Sequence, residues 1–181
     1  MNQFEKGKWR ICDIITGDES WVYYRKIGYR QSNSAWVKKG EYPEPIVRRG
    51  KFEPKSMISI FFKSTGPVLI DVLDKGKTIN ANYYVEDNDC LRRLIKAQRL
   101  KSGTTSMKIL HDNAKPHVAI LVNNFLENEA IAVIPHPPYS QDLAPCDYWL
   151  FSTLKRKLGS YDSAEELKSA ITEHLFSIPV N

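Results

Sequence analysis

The feature that most constrains the fold is an apolar segment, WRICDIITG at positions 9–17, because its hydrophobic residues occupy both alternating sets of positions. A strand with one face in water alternates between apolar and polar residues, whereas a strand covered on both faces is apolar throughout. We therefore expect a central strand whose sheet carries packing layers on both sides. At 181 residues the chain is long enough for one domain with such a core.

The remaining segments predict strands first and helices later. We predict strands at 20–25, 56–63, 66–73, 106–110 and 130–135, the first as an antiparallel neighbour of 9–17 and the last as a buried strand. We predict helices over about 80–101, from Pro116 onwards, over about 147–158, and from the capping box of Ser163 and Glu166 onwards. This order predicts a mixed α/β layered fold.

The three cysteines, Cys12, Cys90 and Cys146, are scattered and form no C-x-x-C pair. This pattern favours a reduced, intracellular protein and argues against a disulfide framework or a cysteine-rich zinc site. No run approaches the ~18 apolar residues of a membrane span, and the first residues lack the apolar core of a signal peptide.

Positive charge is concentrated between Arg25 and Lys55, where nine basic residues face three acidic ones, although the net charge of the chain is only +5. A polyphosphate partner selects such a patch, but a solvated lysine-rich loop has the same composition. Within it, the Gly- and Pro-rich stretch 28–56 predicts a long loop, in which Trp36 and Tyr42 are candidates for stacking on bases or for simple packing. The candidate phosphate contacts are Arg25, Lys38, Lys39, Arg48, Arg49 and Lys51.

Two aspartates follow predicted strands: Asp18 comes just after the first, and Asp112 just after the strand at 106–110. Ligands gather outside the carboxyl ends of strands in sheets with helical crossovers. If the two strands are parallel neighbours, the carboxylates approach each other, and such like charges persist only with a cation between them. Mg²⁺ is the natural occupant of an oxygen site. The alternative for Asp112 is a role in helix capping.

A third acid should come from a helix that faces the same edge, and Asp147 heads the apolar stripe of the helix at 147–158. An acid in a first helical turn also complements the helix dipole, so this position alone does not decide between a metal-binding and a structural role for Asp147. Asp142 is the rival, although its Pro-rich loop favours a turn residue. A zinc site from His111, His117 and His136 with Asp112 is a further alternative, but no histidine pair has helical i+4 spacing.

Two motifs carry a resemblance to a known family: HDNAKPH at 111–117 and HPPYSQDLAPCDYWLF at 136–151. With ITGDESW at 15–21, they resemble the catalytic domain of mariner-type transposases, a DNA-cutting RNase H-like fold, over nearly the whole chain. Mariner enzymes place 34 residues between their second and third aspartates, and 34 residues separate Asp112 from Asp147, whereas only 29 separate Asp112 from Asp142. The family spacing therefore selects Asp147.

The resemblance implies a mixed five-stranded sheet flanked by helices, with Asp18, Asp112 and Asp147 as the catalytic, metal-holding acids. We expect two Mg²⁺ ions per site, for which Mn²⁺ can substitute, with Asp18 bridging both ions and the other two aspartates holding one each. His111 and Asn113, which flank Asp112, are expected to position it or, alternatively, to satisfy backbone groups at the strand end.

The resemblance further implies cleavage of phosphodiester bonds at transposon ends and joining of the 3′-OH ends to target DNA, in cut-and-paste movement with insertion at TA dinucleotides. It implies DNA as the partner, a homodimer in the full-length protein, and a nuclear location. The basic segment 28–56 falls where these enzymes carry a clamp loop that reaches a second subunit and DNA. This position favours the contact-surface interpretation of the basic patch.

The chain departs from the family pattern at Gln141, where Pro is usual, and it lacks the N-terminal helix-turn-helix modules that bind transposon ends. It also stops a few dozen residues early, so we expect residues 1–181 to form the catalytic domain with a clamp-loop-like insertion. Two alternatives remain: a domesticated or inactive domain that binds DNA or dimerises, and a nuclease of RNA–DNA hybrids. The intact set of three acids argues against the first. Nucleases of RNA–DNA hybrids generally use four acids, and the mariner-like Pro-rich loop argues against the second.

Overall fold

A mixed five-stranded sheet forms the centre of the protein in a computed structural model that describes residues 9–27, 36–42, 50, 52–74, 77–101 and 104–179. Its strands are β1 (Ile14–Tyr23), β2 (Lys55–Lys63), β3 (Gly66–Val72), β4 (Lys108–Leu110) and β5 (Ala132–Val133). Their order in the sheet is β3-β2-β1-β4-β5. The β1–β2 and β2–β3 pairs are antiparallel, and the β1–β4 and β4–β5 pairs are parallel. The predicted mixed sheet with helices is confirmed.

Within the described ranges, four α-helices flank the sheet: α1 (Ala81–Gln98), α2 (Ile120–Asn128), α3 (Ser152–Lys157) and α4 (Ala164–Phe176). A π-helical turn, Cys146–Phe151, leads directly into α3. The predicted N-cap at Ser163 is confirmed, because the backbone N–H of Glu166 donates to the Oγ of Ser163 at 3.1 Å. The return bond of the capping box is shifted by one residue, since the carboxylate of Glu166 accepts from the backbone N–H of Asp162 at 3.1 Å. Among the described residues, no helix is long and apolar enough to cross a membrane.

β1 lies between two apolar cores, as its apolar sequence predicts, but the predicted strand over 9–17 is only partly correct. Pairing with β4 starts at Ile14, and Ile11–Asp13 form a 3-10 turn before it, in which Ile11 and Cys12 are exposed. The first core, the α1 layer, joins α1 and α2 to one face of the sheet and includes Ile15 and Tyr84. The second core, the α4 layer, joins the π-helical turn, α3 and α4 to the opposite face and includes Val22 and Ile171. Because successive side chains of a strand point to opposite faces, Ile15 and Val22 bury the two faces of the same strand.

The predicted break between the first strand and the segment 20–25 is wrong. β1 continues to Tyr23 because β2 pairs with it along this length, from Thr16↔Phe62 to Tyr23↔Lys55. Asp18 therefore lies within β1 and not beyond its end. The backbone hydrogen bonds of the pair hold the polar stretch in the sheet although it interrupts the apolar pattern.

Two other predicted elements differ in extent or exposure. The strand predicted as buried at 130–135 is the two-residue β5, which is exposed because it forms one edge of the sheet. α2 begins at Ile120, so Pro116 lies in the turn before the helix and not in its first turn. Val122 and Leu126 of this helix are buried, whereas Val118 and Leu121 are about half exposed.

Candidate functional site

The parallel pairing of β1 and β4 brings two of the predicted acids to one edge of the sheet. The last paired residues are Thr16 and Leu110. Asp18 and Asp112 each lie two residues further along, so they occupy equivalent positions beyond this pair. β4 ends here while β1 continues beside β2, which leaves a step in the sheet at the carboxyl end of β4, where ligands commonly bind.

Asp147 reaches the same region on the π-helical turn Cys146–Phe151. The buried Cys146 anchors this turn to the sheet, with its Sγ 3.9 Å from the Oγ1 of Thr16 on β1. Asp147 itself is half-buried, and its charge acts on Asp18. π-helical turns recur at functional sites because they re-aim side chains within a helix.

The three aspartates are close enough to repel one another. Burial raises the pKa of Asp18 to about 7, and the hydrogen bond from the backbone N–H of Glu19, at 2.7 Å, only partly offsets this rise. The negative charges of Asp147, Glu19 and Asp112 add to it. Burial and the charge of Asp112 also raise the pKa of Asp147. A cation among these carboxylates would relieve the repulsion.

Asp112 differs from the other two aspartates because a buried histidine forms a hydrogen bond with its carboxylate. The Nδ1 of His117 lies 2.7 Å from the Oδ1 of Asp112, and its Nε2 lies 3.0 Å from the Oε2 of Glu19. The hydrogen bond from His117 lowers the pKa of Asp112. Burial alone would lower the pKa of His117, but its hydrogen bonds to the two carboxylates outweigh burial and raise it to about 9.

The structure answers whether Asp112 caps a helix. Its Oδ1 also accepts a hydrogen bond from the backbone N–H of Ala114 at 2.9 Å, which closes a turn immediately after β4. The N-cap of α2 is Ala119, which makes no side-chain capping bond. Asp112 therefore stabilises the turn and leaves the helix uncapped.

The two residues that flank Asp112 contact other groups. His111 is buried, and its Nδ1 lies 3.2 Å from the hydroxyl of Tyr84, whose ring stacks on it. Burial lowers the pKa of His111 to about 4, so the ring is neutral near pH 7. The Nδ2 of Asn113 donates to the carbonyl of His136 at 2.7 Å and ties this turn to the Pro-rich loop. Neither residue hydrogen-bonds the Asp112 carboxylate.

The ring nitrogens that would bind zinc in the alternative site face other groups. Both ring nitrogens of His117 bind carboxylates, and the Nδ1 of His111 faces the hydroxyl of Tyr84. In the described part of the chain, no three His, Cys, Asp or Glu side chains converge closely enough to hold a metal ion as they stand. Asp142, the rival third acid, lies exposed on the short 3-10 turn Gln141–Leu143.

The basic segment is described only in part. Arg25, Lys38 and Lys39 are exposed, whereas Arg48, Arg49 and Lys51 lie outside the described residues. Trp36 and Tyr42 are almost fully exposed, so neither is a packing anchor within the described structure. This exposure leaves the aromatic side chains accessible to a partner.

Sequence reasoning missed Glu19 and weighed His117 only as a zinc ligand. Both signals were present, since Glu19 follows Asp18 directly and His117 follows Asp112 by five residues. The pairing could not be predicted, because it depends on β1 and β4 being neighbours. Tyr84 of α1 also lines this cluster, with its ring centroid 4.2 Å from that of His117.

Comparison with known proteins identifies the family. Residues 27–105 match a family described as Transposase (partial DDE domain). The chain is 31% identical to the Mariner Mos1 transposase of Drosophila mauritiana over 164 residues, which are 88% of this chain and 47% of that protein. It is also 31% identical to the human histone-lysine N-methyltransferase SETMAR over 169 residues, 91% of this chain and 24% of that protein. The chain thus spans about half the length of Mos1.

Solved structures agree in fold over nearly the whole chain. The Mos1 paired-end complex with left transposon end has a TM-score of 0.86 at 30% identity and covers 98% of this chain and 52% of its own. The paired-end complex with Mg has a TM-score of 0.85 at 28% identity, with 98% and 52% covered. The Mos1 catalytic domain has a TM-score of 0.76 at 27% identity, with 98% and 76% covered. The sheet and its helices are therefore the RNase H-like fold of that domain, and the chain belongs to the mariner family of transposases.

Proposed function

We propose that residues 1–181 form the catalytic domain of a metal-dependent DNA transposase. It cleaves phosphodiester bonds at transposon ends and joins the 3′-OH ends to target DNA. The observation that carries this proposal is the position of Asp18 and Asp112, each two residues beyond the end of the β1–β4 pairing, with Asp147 near enough to raise the pKa of Asp18. A binding module has no use for three acids that repel one another.

The donor set fits divalent cations of the Mg²⁺ class. Its oxygens belong to three carboxylates, the ligands that Mg²⁺ prefers. The pKa values of Asp18 and Asp147 are raised by burial first and by neighbouring negative charges second, and a bound cation would favour the ionised form of both. Mos1 structures exist with Mn and with Mg. We propose that the site would hold two ions, for which Asp18, Asp112 and Asp147 would be the protein ligands. Because the side chains do not converge as they stand, binding requires small rotations of the carboxylates.

Bound divalent ions supply a nucleophile near neutral pH and charge relief at the leaving oxygen. The chain's own residues supply the rest. Asp18 is held by a rigid central strand, and its Oδ1 is oriented by the backbone N–H of Glu19. The half-buried Asp147 enters on a turn that is anchored in the α4 layer. These constraints fix where the scissile phosphate binds.

DNA is the proposed partner. The exposed Arg25, Lys38 and Lys39 can contact phosphates, and the exposed rings of Trp36 and Tyr42 can stack on bases. We extend this role to Arg48, Arg49 and Lys51, which belong to the same basic segment. With the remainder of a full-length transposase, the domain is proposed to act as a homodimer in the nucleus.

The test is nicking of supercoiled plasmid DNA by the chain in Mg²⁺ or Mn²⁺. Asp18→Asn, Asp112→Asn and Asp147→Asn should each reduce nicking to background, because each removes one metal-holding carboxylate. Asp142→Asn is the matched control, an aspartate five residues from Asp147, and should nick like the wild type. Loss of nicking in Asp142→Asn with retention in Asp147→Asn would show that the third acid is misassigned.

A second candidate is a domesticated domain that binds DNA or dimerises without cutting. It is favoured by one observation: a stretch similar to 91% of this chain lies within SETMAR, a protein named for a histone-lysine N-methyltransferase activity. Such a module should bind DNA equally well with EDTA or Mg²⁺ and should not nick. Metal-dependent nicking that requires Asp112 therefore excludes it.

A further inference from the structure

His117 is fully buried, and both of its ring nitrogens contact carboxylates. Burying an imidazole with two acids costs free energy of folding unless every group is hydrogen-bonded. Such a buried polar cluster beside the aspartates is therefore a candidate for a functional role. We propose that His117, anchored by Glu19, is a positioning residue that orients the Asp112 carboxylate for a divalent cation. This inference rests on the proposed function and deepens it, since it assigns the device that holds one of the three acids.

The ring of His117 is fixed on its faces as well as at its nitrogens. The ring of Tyr84 lies against it, with centroids 4.2 Å apart and planes inclined by 31°. His111 lies on another side, with centroids 5.2 Å apart. Tyr84 is itself fully buried in α1, and its hydroxyl contacts His111 at 3.2 Å. The imidazole therefore cannot swing away from Asp112 without displacing the α1 layer.

The two oxygens of Asp112 have different surroundings. Oδ1 contacts both the Nδ1 of His117 at 2.7 Å and the backbone N–H of Ala114 at 2.9 Å. Oδ2 accepts no hydrogen bond from the described residues, and 40% of the Asp112 side chain is exposed. One oxygen is thus held by the protein while the other remains available to a cation, which is the usual arrangement of an oriented carboxylate ligand.

Glu19 connects His117 to the strand that carries Asp18. The Oε2 of Glu19 contacts the Nε2 of His117 at 3.0 Å, and its backbone N–H donates to the Oδ1 of Asp18 at 2.7 Å. The chain of contacts from Asp112 through His117 to Glu19 therefore joins the turn after β4 to the centre of β1. It sets the position of Asp112 relative to Asp18.

Calorimetric titration of the whole chain with Mn²⁺ alone tests this role. His117→Asn, whose shorter side chain cannot reach both carboxylates, should weaken Mn²⁺ binding by about 10- to 100-fold. Glu19→Gln keeps the ring in place and removes one charged partner, so it should weaken binding less. Thr104→Val is the control: it removes a buried hydrogen bond to the carbonyl of Glu129 before the amino end of β4, at the opposite end of that strand from Asp112, so stability should fall while Mn²⁺ affinity is unchanged.

Thermal unfolding of each variant without Mn²⁺ separates positioning from folding, because a purely structural role lowers the melting temperature and leaves the affinity of the folded protein intact. Wild-type affinity in folded His117→Asn overturns the inference. If that variant does not fold, wild-type affinity in Glu19→Gln overturns it instead. Asp112→Asn distinguishes the two proposals. If it also binds Mn²⁺ like the wild type, the proposed function fails, and if only Asp112→Asn loses binding, the positioning role alone fails.

Discussion

The two layers on either side of the sheet differ in the polarity of the side chains that they bury. Apolar side chains dominate the buried core of the α4 layer, where the π-helical turn, α3 and α4 pack on β1 and β2. The α1 layer buries polar groups as well, among them the two histidines behind Asp112. Three buried side-chain oxygens of the α1 layer have no hydrogen-bond partner among the described residues: Glu19 Oε1, Asp87 Oδ2 and Asn88 Oδ1. The hydroxyl of Ser59 faces the Asp87 carboxyl and partly offsets the effect of its burial.

This difference separates what holds the fold from what supports the candidate site. Each buried polar atom without a partner costs about 1–3 kcal/mol, so the α1 layer is less stable than an apolar layer of the same size. The cost falls directly behind the aspartates, since Glu19 is next to Asp18 and pairs with Ser59 across the sheet. Local violations of good packing tend to cluster at functional sites. The α4 layer offsets this cost.

The largest effect is expected in the α4 layer. Ile171 is fully buried in its core, and Ile171→Ala should lower the free energy of unfolding by about 2–5 kcal/mol through lost burial and a residual cavity. Urea denaturation measures this change. Lys168→Ala, an exposed position on the same helix, is the control and should stay within about 0.5 kcal/mol of the wild type. A loss at Ile171 no larger than the control would contradict the division of roles.

An intermediate effect is expected at Gly17, where β1 packs against the α1 layer. A Cβ at this position would lie 2.1 Å from Cδ1 of Phe61, a fully buried ring that would have to shift. Gly17→Ala should therefore destabilise the protein by about 1–3 kcal/mol through overpacking. Gly159→Ala is the control, because its added Cβ would meet only atoms of Tyr161 at 3.8 Å or more.

A double variant identifies the cause of the Gly17 effect. Phe61→Leu shortens the obstructing ring, so Gly17→Ala should cost less in the Phe61→Leu background than in the wild type, and urea denaturation of the four proteins gives the coupling energy. Equal costs in both backgrounds would mean that the clash with Phe61 is not the cause.

The α4 layer was largely predictable from sequence, whereas in the α1 layer the helix was predictable and the buried polar cluster was not. The last helix follows from the capping box of Ser163 and Glu166 and from its apolar stripe, since both are local signals. The polar cluster of the α1 layer depends on which strands are neighbours. Asp87 carries no signal of burial, because an acid in a helix is usually exposed and periodicity does not reveal a polar contact across the sheet.

The candidate site was likewise predictable only where its signals are local in the sequence. The spacing of HDN and the later CDY motif pointed to Asp112 and Asp147, and the structure brings both near Asp18. The continuation of β1 through Asp18 and the π-helical turn that carries Asp147 were not predictable. Both depend on tertiary pairing and packing that override the local pattern.

The smallest effect is expected at Asp87, and it has the opposite sign. Burial raises the pKa of this carboxyl to about 7, from about 3.9 in an unfolded chain, and repulsion from Asp71 and Glu19 adds to the rise. Between these two values the folded state binds more protons than the unfolded state, so this group makes stability fall as the pH rises from about 4 to about 7. Asp87→Asn removes the titration and keeps the shape.

Asp87→Asn should therefore match the wild type near pH 4 and exceed its free energy of unfolding by about 1–2 kcal/mol at pH 8. Urea denaturation across this range measures the difference in the free energy of unfolding. The contribution of Asp18 to the pH dependence cancels in this difference, because both proteins retain Asp18. Asp89→Asn, two residues along α1, is the control of opposite sign. Its pKa is lowered by Arg92, so this substitution should cost stability at pH 8 and nothing at low pH. A pH-independent gain at Asp87 would indicate altered packing and would remove the argument that the α1 layer tolerates buried charge behind the site.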